Sequence, residues 1–140
     1  MPHFYAGFGC RRGCPADTLQ RLLDQALDNQ GLALADLRGI ASISLKADEP
    51  GLLQLAERLG LPLVLYHSVQ LQPYEPLLSH RSAAAHAQSG CWGVAESAAL
   101  ALASQHLGEA RLLLARQVLG PATLALAGSA LPPLSCKDFP

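Results

Sequence analysis

Residues Gly9 to Pro15 read GCRRGCP and hold the densest set of residue types able to do chemistry. A glycine loop between the carboxyl end of a strand and the start of a helix presents backbone N–H groups beside the positive end of a helix dipole, which suits an anion. Arg11 and Arg12 add forked donors matched to carboxylate or phosphate. The spacing is neither G-x-G-x-x-G nor a Walker-type Lys-Ser/Thr, so no nucleotide-cofactor fingerprint is present. The plainer alternative is a turn whose glycines satisfy backbone geometry and whose arginines are solvated.

Cys10 and Cys14 share this loop, while Cys91 and Cys136 lie far downstream. A zinc site needs a second paired ligand set, and here only one distant cysteine and scattered histidines are on offer, so no metal is expected. A catalytic thiol at Cys14, near a helix start and two arginines, is an alternative to the ordinary role of cysteine as a small buried hydrophobe. Lys46, Asp48 and Glu49 follow a second strand. In open α/β sheets that edge is where ligands settle. Asp48 suits a helix N-cap and Glu49 complements the dipole, which leaves Lys46 as the ligand candidate. Glu96 occupies the first turn of an otherwise apolar helix, where an acid needs a partner or a cavity. His67 and His80 fall in no H-x-x-x-H or H-E-x-x-H pattern, so neither a metal nor a triad is assigned to them.

The elements that would position these residues follow from periodicity. His3 to Phe8 reads as a strand. Pro15 opens an amphipathic helix carried by Leu19, Leu22, Leu23, Ala26 and Leu27 and ending near Gly31. A strand from about Ile40 to Leu45 lacks a clear apolar face, which predicts partial burial. A helix runs from Leu52 to Leu59, and LVLY, Leu63 to Tyr66, has the form of a buried parallel strand. His67 to Gly90 reads as a loop followed by a short helix over SHRSAAAHAQ. Val94 to His106 is a small-residue helix suited to close packing on a sheet. Leu112 to Val118 and Ala122 to Ala127 flank Gly120-Pro121 as a hairpin, and residues 128–140 read as a loose tail. The order predicts a single three-layer α/β/α domain over residues 1–140, with a mostly parallel sheet and a C-terminal hairpin.

Composition narrows the function classes. Of 140 residues 50% are apolar and 15% charged, which excludes disorder as the dominant state. A formal charge of −1 cannot supply the positive field that nucleic-acid binding demands. No continuous apolar run reaches the ~18 residues of a membrane span. The amino-terminal residues show no basic region ahead of an apolar one, so a cytoplasmic location is the expectation.

Four segments in order, FGCRRGCP, IASISLKADEPGLLQLAERLGLPL, GVAESAAL and ARQVLGPATLALA, resemble the CobE/CbiG C-terminal-domain family of cobalamin biosynthesis. The resemblance runs from about Phe4 to Ala127 and implies an α/β/α fold. Arg116 stands where many members have Lys, which keeps the charge and changes its geometry. Anaerobic-pathway CbiG proteins carry an additional amino-terminal part linked to opening a lactone on the macrocycle. A 140-residue chain has no room for it, so the free-standing CobE form of the aerobic route is expected. The resemblance implies a corrinoid or tetrapyrrole intermediate, of precorrin or hydrogenobyrinic acid type, as ligand. Its peripheral carboxylates would be met by a site of Gly9, Cys10, Arg11, Arg12, Gly13, Lys46, Glu96 and Arg116. No cofactor is expected. Two alternatives stand beside binding: an enzyme acting on the macrocycle, with Glu96 or Cys14 in proton transfer, and a scaffold for other pathway enzymes.

Overall fold

The computed structural model describes residues 3–44, 48–79, 83, 86 and 93–129. Strand β1 (Phe4–Cys10) is followed by α1 (Ala16–Gln30), β2 (Leu37–Ile43), α2 (Pro50–Leu59) and β3 (Leu63–Tyr66). The short α3 (Ser68–Leu71) and a 3-10 turn (Gln72–Leu77) come next, then α4 (Val94–Leu107), β4 (Ala110–Leu119) and β5 (Ala122–Ser129). The sheet order is β3-β2-β1-β5-β4. Strands β1, β2 and β3 pair in parallel, whereas β5 lies antiparallel to both β1 and β4.

The sheet is therefore mixed, not mostly parallel. A tight Gly120-Pro121 turn can join only antiparallel strands, and the hairpin docks beside β1 through β5. Strand β5 also extends through Ser129, two residues past Ala127, where the hairpin was expected to end and the tail to begin.

The sequence of β1 sets the layering. Its side chains alternate between faces, so Phe4, Ala6, Phe8 and Cys10 join the core under α1 and α2. The other face carries Tyr5 and two glycines, beneath α4. A Cβ at Gly7 would come within 2.0 Å of the Ala95 carbonyl oxygen and 2.5 Å of the Ala99 nitrogen, so only glycine lets the helix approach this closely. The alanine-rich α4 is buried without a break from Ala95 to Ala103, as its composition predicts.

Two strands differ from their sequence reading. Strand β2 is almost wholly buried, because it lies between β1 and β3 with α4 across one face. Its polar Ser42 is fully buried and donates to the Phe8 carbonyl at 2.7 Å, which removes the penalty that suggested partial exposure. Strand β3 is parallel as expected but sits at the sheet edge, so three of its four residues are only half-buried. Most of the SHRSAAAHAQ stretch lies outside the described residues. Among those described, no helix is long and apolar enough to cross a membrane.

Candidate functional site

The parallel strands end at one rim, and the Gly120-Pro121 hairpin turn reaches the same edge because Ala122 is the register partner of Cys10. The loop from Arg11 to Pro15 starts there. The Arg11 N–H donates to the Pro121 carbonyl at 2.9 Å, and the Cys14 N–H donates to the Arg11 carbonyl at 3.1 Å. Gly13 adopts φ +81°, the left-handed conformation that turns the chain toward α1. Its N–H donates to Glu49 Oε1 at 2.7 Å.

That last contact changes the sequence reading of the loop. The N–H groups of Arg11, Gly13 and Cys14 are engaged within the protein, and the anion at Gly13 is the protein's own Glu49 carboxylate. Glu49, not Asp48, holds the N-cap position of α2, and its side chain makes no capping bond to its own helix. It crosses to the neighbouring loop instead. The amino end of α2 is pressed against that loop so closely that a Cβ at Gly51 would stand 2.1 Å from the Cys14 carbonyl oxygen. Helix α4 starts at the same rim, where a Cβ at Gly9 would lie 3.8 Å from Val94. Three helix amino ends thus face one edge, α1 and α2 on one side of the sheet and α4 on the other.

The expected site residues divide into three groups. Arg11, Arg12 and Gly13 are exposed on the loop, and among the described residues neither arginine forms an ion pair. Gly9 and Cys10 belong to β1 and are buried, as is Cys14, whose thiol donates to the Pro15 carbonyl. These residues shape the loop from beneath. Lys46 lies outside the described residues.

Glu96 and Arg116 come together, though not through the guanidinium. Glu96 is 1% exposed, and its Oε2 accepts the backbone N–H of Arg116 at 2.8 Å. Oε1 accepts the Ser79 N–H at 2.7 Å, and the Ser79 hydroxyl donates to Oε2. The carboxylate pins a loop to β4 where the β4–β5 register shifts, between Leu114 and Gln117. The partner that an acid in this apolar helix needs is thus supplied by Ser79 and the Arg116 backbone. Arg116 lies on edge strand β4, two strands from β1 and so roughly 10 Å away across the sheet.

Sequence reasoning passed over one further pair on this rim. Ser44, just beyond β2, and His67, just beyond β3, are joined by a 3.1 Å contact between Oγ and Nδ1. They are 23 residues apart, so only the parallel register brings them together. On the face of the sheet covered by α4, Tyr66, Gln70, Tyr74, Ala101, Ser104 and Gln105 line a cavity of about 300 Å³, in which the Tyr66 hydroxyl donates to Gln105 at 2.6 Å. Burial, and to a lesser degree Tyr74, holds the Tyr66 phenol above its usual range.

Comparison with known proteins places this architecture. The family model described as the C-terminus of cobalamin synthesis G matches residues 4–127. The crystal structure of CobE, a protein from the cobalamin (vitamin B12) biosynthetic pathway, superposes with a TM-score of 0.86 at 45% identity, covering 91% of this chain and 93% of that one. Protein CobE of Sinorhizobium sp. is 39% identical over 94 residues, 67% of this chain and 61% of that protein. A cobalt-precorrin-5A hydrolase of Salmonella typhimurium is 40% identical over 70 residues, 50% of this chain and 20% of the hydrolase. The aligned part thus spans less than two thirds of either curated relative. With the family match running nearly end to end, the chain belongs to the cobalamin synthesis G C-terminal family.

Proposed function

We propose that this protein binds a corrin-ring intermediate of cobalamin biosynthesis at the rim formed by the carboxyl ends of β1 to β3. The observation that carries the reading is the pair of exposed guanidinium groups, Arg11 and Arg12, on a loop fixed from both sides. Because Pro121 and Glu49 tie the loop backbone down, little ordering remains to be done when a ligand arrives. Corrinoid acids carry peripheral acetate and propionate groups, and a planar guanidinium takes a carboxylate through two parallel hydrogen bonds. A protein of formal charge −1 can offer such a patch locally. Family membership supports the choice of ligand class, and the exposed arginines support the choice of place.

Lys46, between Ser44 and Asp48 in sequence, is proposed as a further cation for the same carboxylates. Arg116, set back on the edge strand, is proposed as an outer contact. The test is incubation with hydrogenobyrinic acid followed by gel filtration, with absorbance recording the pigment. The wild-type protein should co-elute with pigment of unchanged spectrum. Replacing Arg11 and Arg12 together by Ala should weaken binding at least ~100-fold, since each lost charged hydrogen bond costs about 1.5–3 kcal/mol. Unchanged retention by the double variant, with its circular dichroism intact, would refute the site. A spectrum altered by incubation would favour the enzymatic alternative instead.

A further inference from the structure

We propose that the cavity between α4 and the α3 segment binds a small uncharged planar ring bearing acceptor groups, such as a purine base or a ring carboxamide. Its lining comes from three places: Tyr66 at the end of edge strand β3, Gln70 of α3 with Tyr74 of the 3-10 turn, and Ala101, Ser104 and Gln105 of α4. None of these belongs to the arginine loop. Tyr66 stands two strands from β1, roughly 10 Å across the sheet. Ala101 to Gln105 lie roughly 10–16 Å along the helix axis from Val94, the residue of α4 that meets Gly9. The proposal therefore stands without the rim-binding reading.

The hydrogen bonds of the lining select the ligand. The Tyr66 hydroxyl donates to Gln105 Oε1 at 2.6 Å, and the His67 N–H donates to Gln70 Oε1 at 2.8 Å. Both carboxamide oxygens are thus already accepting, and both NH₂ groups are left without a partner among the described residues. The Tyr74 and Ser104 hydroxyls likewise have no hydrogen-bond partner among those residues. Such a lining leans to donors and suits carbonyl oxygens or ring nitrogens. Burial, and to a lesser degree Tyr74, keeps the Tyr66 phenol protonated above its usual range, so Gln105 stays oriented with its NH₂ on offer. No lining residue is charged, so a carboxylate or phosphate would lose water without gaining a cation. A volume of about 300 Å³ equals about ten water molecules at ~30 Å³ each, the bulk of about ten non-hydrogen atoms. That is a bicyclic base or a six-membered ring with one carboxamide. The two tyrosines add aromatic surface against which such a ring can stack. Fully buried Leu71 anchors α3, and the Tyr66–Gln105 bond ties β3 to α4, so the cavity stands formed before a ligand arrives.

Adenine and nicotinamide serve as neutral probes and benzoate as the planar anion, each titrated into ¹⁵N-labelled protein while the amide resonances are followed. At least one neutral probe should give saturable shifts centred on residues 66–74 and 101–105, and benzoate should give none at equal concentration. Ser104→Leu, which fills the cavity from a half-buried helical position, should abolish the shifts. Gln105→Ala, at an exposed position that leaves the fold untouched, should weaken binding about 3–10-fold by removing one amide donor. Replacing Arg11 and Arg12 together by Ala should leave these titrations unchanged, which separates this cavity from the corrinoid site. Absence of saturable shifts with both neutral probes, shifts that survive Ser104→Leu, an affinity indifferent to Gln105→Ala, or an equal response to benzoate would each overturn the proposal.

Discussion

Replacing Glu96 tests whether a buried acid near a candidate site serves binding or architecture. Both carboxylate oxygens accept hydrogen bonds, from the Ser79 N–H and hydroxyl and from the Arg116 N–H. Glu96→Ala strands these donors in an environment where the side chain is 1% exposed. A hydrogen bond to a charged group is worth about 1.5–3 kcal/mol, and three on one carboxylate do not add fully, so the expected loss is about 3–5 kcal/mol. For a chain of this size that lowers Tm by about 10 °C or more. Glu96→Gln is the sharper probe. Its amide has one accepting oxygen, and its NH₂ must face one of the backbone donors, so it should cost about 2–3 kcal/mol despite its equal size. Urea unfolding at neutral pH reads both values. A glutamate that merely complemented the dipole of α4 would contribute only about 0.3–1 kcal/mol. Losses within that range for both variants would refute the clamp and restore Glu96 as a group free to orient a ligand contact.

Two further outcomes follow from particular contacts. Gly7→Ala should destabilise by ~3 kcal/mol or more, because its Cβ would overlap the backbone of α4 at Ala95 and Ala99; Gly13→Ala, with open space around its Cβ but φ +81°, should cost only the left-handed strain of roughly 1–2 kcal/mol. Both are measured by chemical denaturation. The raised Tyr66 phenol, held up first by burial and then by Tyr74, means that the folded chain keeps its proton above pH 10, where the unfolded chain has lost it. Stability therefore falls as pH climbs from about 10 through the raised value. Tyr66→Phe should flatten that alkaline loss while costing about 0.5–1.5 kcal/mol at pH 7 for the hydrogen bond to Gln105. An unchanged alkaline slope in the variant would refute the assignment.

What the sequence disclosed was local or periodic. The Pro15 start and leucine spacing of α1, the alanine surface of α4 and the Gly120-Pro121 turn each belong to one stretch of chain, and each appears where expected. What it concealed depends on neighbours remote in sequence. Ser42 and Ser44 make β2 look half-exposed, yet one is satisfied by Phe8 and the other by His67. Glu96 reads as a ligand group until Ser79 and the register shift in β4 supply its partners. Glu49 reads as a dipole partner of its own helix until the packing of Gly51 on Cys14 brings Gly13 within reach. In each case the residue type announced that a polar partner was needed. Only the tertiary arrangement identified it.

The strand order also bears on the proposal that the rim takes a ligand rich in carboxylates. Strand β1 lies at the centre of the sheet, and the antiparallel hairpin beside it turns at the same edge at which the three parallel strands end. Helices α1, α2 and α4 all begin there, so their dipoles turn positive ends toward one place. Glu49 answers part of that field from within and stiffens the loop through Gly13. In the proposed site an incoming carboxylate would meet the Arg11 and Arg12 side chains above a loop whose Arg11, Gly13 and Cys14 N–H groups are already engaged. On the proposed reading recognition would pass to guanidinium groups, whose forked geometry can discriminate among the carboxylates of a polyacid in a way that a bare helix end cannot.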